Sequence, residues 1–174
     1  ELLDGLYVAG DEDRLTCDVE INGVQLDSVG IRYKGFSSVS VNRTKNPFNI
    51  KLDYVHGNQD YNGHTKIKLS NVIQDPSFLR EVLSYEIARK YMPASQANFA
   101  RLYINDVYWG LYSNVEDVSD PFLVDHYGES HGSFLKCNPE DLDFDGDNAN
   151  LGNSYGTDTT NYYPYYDLKS DYGW

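Results

Sequence analysis

A lysine and a glutamate in this 174-residue chain have positions suited to phosphate chemistry. Lys51 lies in a predicted strand, on the face opposite the apolar side chains of Phe48 and Ile50. From this face its ammonium can reach into a cleft and offer a point charge to a phosphate group. Glu86 lies beside the apolar stripe of a predicted helix, so it is the carboxylate placed to hold the lysine, whereas Glu81 points elsewhere. The alternative is a surface lysine and a glutamate that share no role.

A turn that contains glycine and serine, Lys34-Gly35-Phe36-Ser37-Ser38, follows another predicted strand. Lys34, Ser37 and Ser38 supply an ammonium and two hydroxyls, and backbone N–H groups of such a turn can cover phosphates. The turn is neither a Walker A loop nor a protein-kinase glycine loop, because both need more glycines at fixed spacing. An ordinary serine-rich turn is therefore the alternative interpretation.

Alternating aspartates near the C-terminal end form a second set of residues suited to ligand chemistry. They are Asp141, Asp143, Asp145 and Asp147. The run begins like an EF-hand loop, but Gly152 stands where that loop needs a bidentate glutamate. Neighbouring carboxylates repel one another without a cation, so the run predicts a Ca²⁺ site, with a solvated acidic loop as the alternative. The four histidines and the two cysteines lack the spacing of a zinc site.

Composition narrows the class of protein. Apolar residues make up 40% of the chain and aromatic residues 14%, which is typical of a folded domain. The formal net charge of −13 excludes a nucleic-acid backbone as partner, since phosphates repel such a surface. Lysines and arginines are concentrated in the first half, which is compatible with an anion site there, with a solvated basic face as the alternative. No apolar run is long enough to span a membrane. Cys17 and Cys137 either form one disulfide bridge or remain two separate thiols.

The periodicity of the chain predicts strands that surround one helix. Asp75 and Pro76 suit the N-cap and the first helical position, Leu79, Val82, Leu83 and Ile87 form an apolar stripe, and Pro93 ends the element, so we expect a helix over Asp75–Met92. The predicted strands are 15–21, 24–35, 48–53, 65–69, 99–104 and 107–115, and 165–169 are compatible with the start of another. The predicted fold is α+β, a twisted and mainly antiparallel sheet with the helix packed across one face.

Five segments between Gly30 and Lys136 follow one another in a distinctive order: GIRYKGFSS, NPFNIKLD, DPSFLREVLSYEIARKY, RLYINDVYWGLYSNVED and SFLK. They give a turn after a strand, a lysine-bearing strand, a helix with an inward acid, and a hairpin that ends in an acid. In these segments the chain resembles the CotH family, the spore-coat-H-like atypical kinases and surface proteins. The order of parts is that of the nucleotide-holding lobe of a protein kinase.

The resemblance implies a site for ATP with Mg²⁺, in which Lys51 and Glu86 correspond to the lysine–glutamate pair of kinases. Arg80 matches the family's DPSxLR motif, and Glu116 matches the acid that ends the hairpin, where a kinase hinge would leave the lobe. The residues that the resemblance assigns to this site are Lys34, Ser37, Ser38, Lys51, Arg80, Glu86 and Glu116.

The resemblance also implies a location and partners. We expect an extracellular or cell-surface kinase lobe whose partner is an exported or surface protein substrate or a coat protein. Only about the first half of the family domain is matched, so we expect a single partial domain over 1–174. Its sheet-and-helix lobe covers 1–136, and the acidic loop with the start of the next segment covers 137–174. These residues contain no identifiable catalytic base, which leaves enzymatic activity open. The alternative is a non-catalytic coat, adhesion or filament module whose acidic loop binds calcium.

Overall fold

The structure is a computed structural model that describes residues 2–9, 13–35, 37–137 and 155–170. Contacts divide the chain into two compact units, 1–126 and 127–174, and each is described by itself. In chain order the elements are α1 (Leu2–Val8), β1 (Leu15–Ile21), β2 (Val24–Tyr33), β3 (Phe48–Lys51), β4 (Lys66–Ser70), α2 (Arg80–Ala88), β5 (Ala97–Ile104), β6 (Val107–Val115), α3 (Asp120–Tyr127), β7 (Leu135–Cys137), a 3₁₀ helix (Thr159–Tyr162) and β8 (Tyr166–Leu168).

The first unit contains one six-stranded sheet in the order β1-β2-β3-β4-β6-β5, and every pairing in it is antiparallel. Tight turns at Asn22-Gly23 and Asn105-Asp106 join β1 to β2 and β5 to β6, and all four residues have positive φ. Such turns match the right-handed twist of paired strands. The α+β prediction with a mainly antiparallel sheet is therefore confirmed.

The core lies on one face of this sheet. Phe48 and Ile50 alternate along β3 with half-buried polar residues, and Leu69 pairs with Phe48 from the neighbouring β4. The sheet is curled, so Val19 of β1 and Leu102 of β5 pack against the same buried cluster although their strands are at opposite edges. Because one face is closed in this way, the alternate side chains of β2, β3 and β4 form a polar face opposite the core.

Helix α2 is shorter than predicted, since it covers Arg80–Ala88 and not Asp75–Met92. Phe78 has φ +61°, and this left-handed conformation cannot belong to a right-handed helix. The ammonium of Lys45 lies 4.5 Å from the centre of the Phe78 ring, a tertiary contact that favours this position of the residue. The Asp75 carboxylate nevertheless accepts a hydrogen bond from the backbone N–H of Arg80 at 2.8 Å, so it still supports the helix start.

The face of α2 that packs inward also differs from the prediction. Of the predicted stripe, Leu79, Leu83 and Ile87 are exposed and Val82 is half-buried, as are Glu81 and Tyr85. The helix contacts β5 and β6 and lies on the polar face of the sheet, where Glu81 accepts a hydrogen bond from Ser70. The side chains beneath the helix are polar and small, so they offer no apolar surface for Leu79, Leu83 and Ile87 to pack against. These three residues therefore face outward.

The second unit contains the two-stranded antiparallel sheet of β7 and β8. Before β8, the rings of Tyr155 and Tyr165 stack at 4.5 Å between centroids, and the Asp158 side chain caps the 3₁₀ helix through the N–H of Thr160.

The aspartates predicted to bind calcium, 141–147, lie outside the described residues. In the described part of the chain, none of the helices has the length and apolar character needed to cross a membrane. Cys17 and Cys137 are free thiols.

Candidate functional site

The polar face of the sheet is rich in cations. Cross-strand pairing places Lys51 beside Lys66, and Asn49 between Arg32 and Lys68. These side chains alternate with the apolar core residues of their strands, so they share the face that α2 approaches. The resulting surface concentrates positive charge in a protein of formal charge −13, which suits an anionic ligand.

A cavity of about 410 Å³ lies where the last residues of β4 meet the turn after β2 and the start of α2. Four of the predicted site residues line it: Lys34, Ser37, Ser38 and Arg80. Ser70, Asn71 and Glu81 line it as well, and none of these three was predicted. Two cations, three hydroxyls and one helical carboxylate therefore converge on one concave surface.

Lys34 and Glu81 are linked within this cavity. The Lys34 ammonium donates a hydrogen bond to Ser70 Oγ at 2.9 Å, and Ser70 Oγ donates to Glu81 Oε1 at 3.3 Å. Burial lowers the pKa of Lys34; the negative charge of Glu81 opposes this shift, and the positive charge of Lys68 adds to it. The cavity thus holds a partly desolvated lysine whose charge a helical carboxylate partly balances.

The serine turn is held in place by a buried amide. Asn71 Nδ2 donates hydrogen bonds to the backbone carbonyl oxygens of Ser38 at 2.8 Å and Lys45 at 3.0 Å. Gly35 has φ +87°, and a Cβ atom there would collide with Ser38 Oγ, so the turn requires glycine at this position. Ser37 and Ser38 are consequently fixed at the rim of the cavity by contacts that begin in the segment after β4.

Lys51 and Glu86 do not form the predicted ion pair; within the described ranges, the acid within 4 Å of the Lys51 ammonium is Asp53, at 3.9 Å. The position along the strands differs, because Lys51 pairs with Lys66 at the start of β4, whereas the start of α2 lies near Ser70, the last residue of β4. Glu86 is exposed on the outer side of the helix. Lys34 and Glu81 are instead the lysine and helical glutamate that the structure brings together.

Arg80 and Glu116 occupy different places. The Arg80 guanidinium lies at the cavity rim, largely exposed, with Nε 3.6 Å from Asp75 Oδ1. Glu116 lies at the other end of the sheet, where its carboxylate accepts the backbone N–H of Gln96 at 2.8 Å. It lines a separate polar cavity of about 370 Å³ together with Lys66 and other residues. Of the seven predicted nucleotide-site residues, the structure therefore brings together Lys34, Ser37, Ser38 and Arg80, while Lys51, Glu86 and Glu116 lie elsewhere.

Asp117, the second residue after β6, neutralises part of the positive charge on the polar face. Its carboxylate forms ion pairs with Lys66, at 3.1 Å, and with Lys68. Burial opposes ionisation of Asp117, but the hydrogen bonds and charges of Lys68 and Lys66 outweigh this effect and lower its pKa. Lys66 and Lys68 are thus held by one acid, whereas the Lys34 ammonium points to a hydroxyl.

A family model described as CotH kinase protein matches residues 31–172, which is most of the chain and includes the whole cavity. The chain belongs to the CotH kinase family. None of the curated proteins compared with it matches. The family resemblance inferred from the order of segments is therefore confirmed.

In this CotH-family chain, Glu81 was missed because the apolar stripe of α2 was expected to face inward. The half-buried residues 81, 82, 85 and 88 combine an acid, a valine, a tyrosine and an alanine, which is a weaker apolar signal than that of Leu79, Leu83 and Ile87. Ser70 was missed for a similar reason, since it reads as the end of a strand. The alternation of Lys66, Lys68 and Ser70 along β4 is the signal that places it on the polar face.

Proposed function

We propose that this chain is the nucleotide-binding lobe of a CotH-family kinase that phosphorylates exported proteins outside the cell or at its surface. The observation that carries the proposal is the Lys34–Ser70–Glu81 chain of hydrogen bonds inside a cavity edged by a serine turn. A lysine balanced by a helical glutamate is the arrangement with which kinases hold nucleotide phosphates. Lys34 would contact the phosphates, and Ser37, Ser38 and Arg80 would donate hydrogen bonds to them.

ATP would enter this site with Mg²⁺, which supplies charge neutralisation between phosphate oxygens when it is bound. Among the described residues there is no group of three side chains able to hold a metal ion. Mg²⁺ usually takes one or two protein carboxylates and obtains its other ligands from phosphates and water. The cavity fits this mode, because its lining offers the carboxylate of Glu81 as a protein ligand. The other carboxylate of the lining, that of Asp75, already accepts hydrogen bonds from the backbone N–H groups of Ser77 and Arg80.

Titration of the chain with ATP and MgCl₂, followed by calorimetry, tests the proposal. We expect saturable binding of one nucleotide that Lys34→Met weakens and that Lys51→Met, a charge-matched change outside the cavity, leaves nearly unchanged. The opposite ranking of the two variants would restore Lys51 as the phosphate ligand. Absence of nucleotide binding would overturn the proposal and favour the non-catalytic coat or adhesion module. The calcium site at Asp141, Asp143, Asp145 and Asp147 stays a prediction from sequence.

A further inference from the structure

The polar cavity of about 370 Å³ lies at the end of the sheet away from Lys34, where β4 and β5 begin and β6 ends. Its volume falls within the range of ligand pockets, roughly 300–1,000 Å³. Arg89, which follows the last residue of α2, and Glu116, which follows the last residue of β6, both line it. A guanidinium and a carboxylate therefore border one concave surface that the proposed nucleotide site does not use.

These two opposite charges do not neutralise each other. Within the described ranges, the ion pairs join other residues, and neither Arg89 nor Glu116 takes part in one. Each side chain is instead hydrogen-bonded to one backbone group. A guanidinium has several N–H donors and a carboxylate has several acceptor sites, so both side chains keep hydrogen-bonding capacity for a ligand.

One short segment holds both charges in place. The Arg89 guanidinium donates to the backbone carbonyl oxygen of Ser95, a buried residue, at 2.8 Å. The Glu116 carboxylate accepts the backbone N–H of Gln96 at 2.8 Å, and the backbone N–H of Glu116 donates to the carbonyl oxygen of Gln96 at 2.9 Å. Because Ser95 and Gln96 are consecutive, the backbone fixes the two charges relative to each other. Groups that are ordered before binding lose less free energy when a ligand binds to them.

The rest of the cavity lining is mainly polar. The Lys66 ammonium is already engaged by Asp117, at 3.1 Å. Asn98 and Asn114 supply amide groups, and Nδ2 of Asn114 donates to Oδ1 of Asn98 at 3.1 Å. This part of the lining therefore suits a polar and uncharged portion of a ligand, since amide groups both donate and accept hydrogen bonds.

We propose that this cavity binds a free α-amino acid with an amide side chain, whose carboxylate contacts Arg89 and whose ammonium contacts Glu116. A simple anion would meet the carboxylate of Glu116 and a simple cation would meet the guanidinium of Arg89, whereas a zwitterion matches both. Charge-assisted hydrogen bonds are stronger than neutral ones, and a guanidinium pairs well with a carboxylate. The amides of Asn98 and Asn114 complement an amide on the ligand. The proposal does not depend on nucleotide binding at the Lys34–Glu81 cavity.

Calorimetric titration of the full chain with L-glutamine and two derivatives tests the proposal. N-acetyl-L-glutamine lacks the ammonium, and L-glutamine amide lacks the carboxylate. We expect saturable binding of glutamine and at least about tenfold weaker binding of each derivative, because each loses a charge-assisted hydrogen bond. Equal binding of the three compounds, or no binding of either L-glutamine or L-asparagine, would overturn the proposal. Displacement of glutamine by ATP with Mg²⁺ would assign the cavity to the nucleotide and would also reject it.

Variants assign each charge of the ligand to its partner. Glu116→Gln keeps an acceptor for the backbone N–H of Gln96 but removes the negative charge. It should bind glutamine about tenfold more weakly than the wild type and should no longer discriminate against N-acetyl-L-glutamine. Arg89→Met should in the same way lose discrimination against L-glutamine amide. A merely structural role would weaken binding of all three compounds alike, and that result would overturn the assignment.

Two exposed neighbours of Arg89 that do not line the cavity provide matched controls, Glu86→Gln and Lys90→Met. Both controls should bind glutamine as the wild type does and should keep its discrimination against the two derivatives. Circular dichroism melts check that every variant is folded. Loss of discrimination in the controls as well would show that the ligand binds outside this cavity, which would reject the proposal.

Discussion

The ammonium of Lys34 and the carboxylate of Glu81 are bridged by a single hydroxyl, that of Ser70. The bridge fixes the lysine in the cavity without consuming its charge in a direct ion pair. The ammonium can therefore form a stronger, charge-assisted contact when phosphate oxygens enter. This relationship predicts that Lys34 contributes more to nucleotide affinity than Ser70 does.

We expect Lys34→Met to weaken binding of ATP with Mg²⁺ by about 30-fold, which corresponds to loss of one charged hydrogen bond worth about 2 kcal/mol. Ser70→Ala should weaken it by only about fivefold, because the lysine stays charged but loses its orientation. Calorimetric titration measures both changes. A larger effect of Ser70→Ala than of Lys34→Met would show that the hydroxyl, and not the ammonium, is the main contact.

The pH dependence of stability should report the burial of Lys34. Burial lowers its pKa below the ordinary value of 10.5, so between the folded pKa and 10.5 the unfolded chain binds more protons than the folded chain. In that window the free energy of unfolding rises with pH. Urea denaturation from pH 7 to 10 should therefore show the wild type gaining stability relative to Lys34→Met. A constant difference over this range would mean that Lys34 is not desolvated.

Asp117 should give a pH dependence of the same sign, but in the acid range. Its pKa is lowered in the folded protein, so its contribution to stability is present above the ordinary value of 3.8 and is lost as pH falls through the folded pKa. At pH 7 we expect Asp117→Asn to lower the free energy of unfolding by about 2 kcal/mol, since Lys66 and Lys68 lose their counter-ion.

Urea denaturation at pH 7 and at pH 3 measures this effect. The deficit of Asp117→Asn should shrink at the lower pH because pH 3 lies below the ordinary value of 3.8, where the unfolded chain binds the proton more readily than the folded chain. Asp106→Asn, a charge-matched change in the exposed β5–β6 turn, serves as control and should have little effect at either pH. An Asp117→Asn deficit that does not change with pH would assign the loss to packing.

The fold was largely predictable from sequence because its strands alternate clearly. Phe48 and Ile50 define an inward face without ambiguity, and Asn105-Asp106 specifies a tight turn. The order of strands was not predictable, since it depends on long-range pairing such as that of β4 with β6. The position along the strands decides which lysine lies near α2: Lys51 pairs with Lys66 at the start of β4, whereas Lys34 donates to Ser70 at the end of β4, beside Glu81.

The start and the inward face of α2 were hidden for a related reason. Asp75 and Pro76 form a strong helix-start signal, but Phe78, whose ring contacts the Lys45 ammonium, has a left-handed backbone that interrupts it. No local propensity reveals such a contact. Leu83 then reads as a core residue although the surface beneath the helix is polar, so the carboxylate that faces the cavity was assigned to the wrong side.

Gly30 should not tolerate a side chain. A Cβ atom at this position would lie 2.5 Å from the Tyr54 ring and 2.8 Å from the Arg14 side chain, closer than real contacts allow. We expect Gly30→Ala to lower the free energy of unfolding by about 1–3 kcal/mol. In a Tyr54→Ala background the same change should cost clearly less, because the ring is no longer there to collide. Denaturant melts of the four proteins measure the difference, and an undiminished cost would assign the strain to Arg14.

The contact between Lys45 and Phe78 should contribute measurable coupling energy. The Lys45 ammonium lies between two rings, 4.5 Å from Phe78 and 4.7 Å from Tyr112, and donates to the carbonyl oxygen of Asn71 at 3.1 Å. Burial lowers its pKa, so the rings meet a partly desolvated cation. A double-mutant cycle with Lys45→Met and Phe78→Leu should yield about 1 kcal/mol of coupling.

The cycle needs a reference pair that lacks contact. Tyr103→Leu removes another exposed ring, which packs against Tyr108 at the far hairpin, and its coupling with Lys45→Met should be near zero. Equal coupling in both cycles would show a general effect of losing Lys45. A specific Lys45–Phe78 coupling would support the view that this contact keeps Phe78 out of α2. The helix then begins at Arg80, which places Arg80 and Glu81 at the cavity.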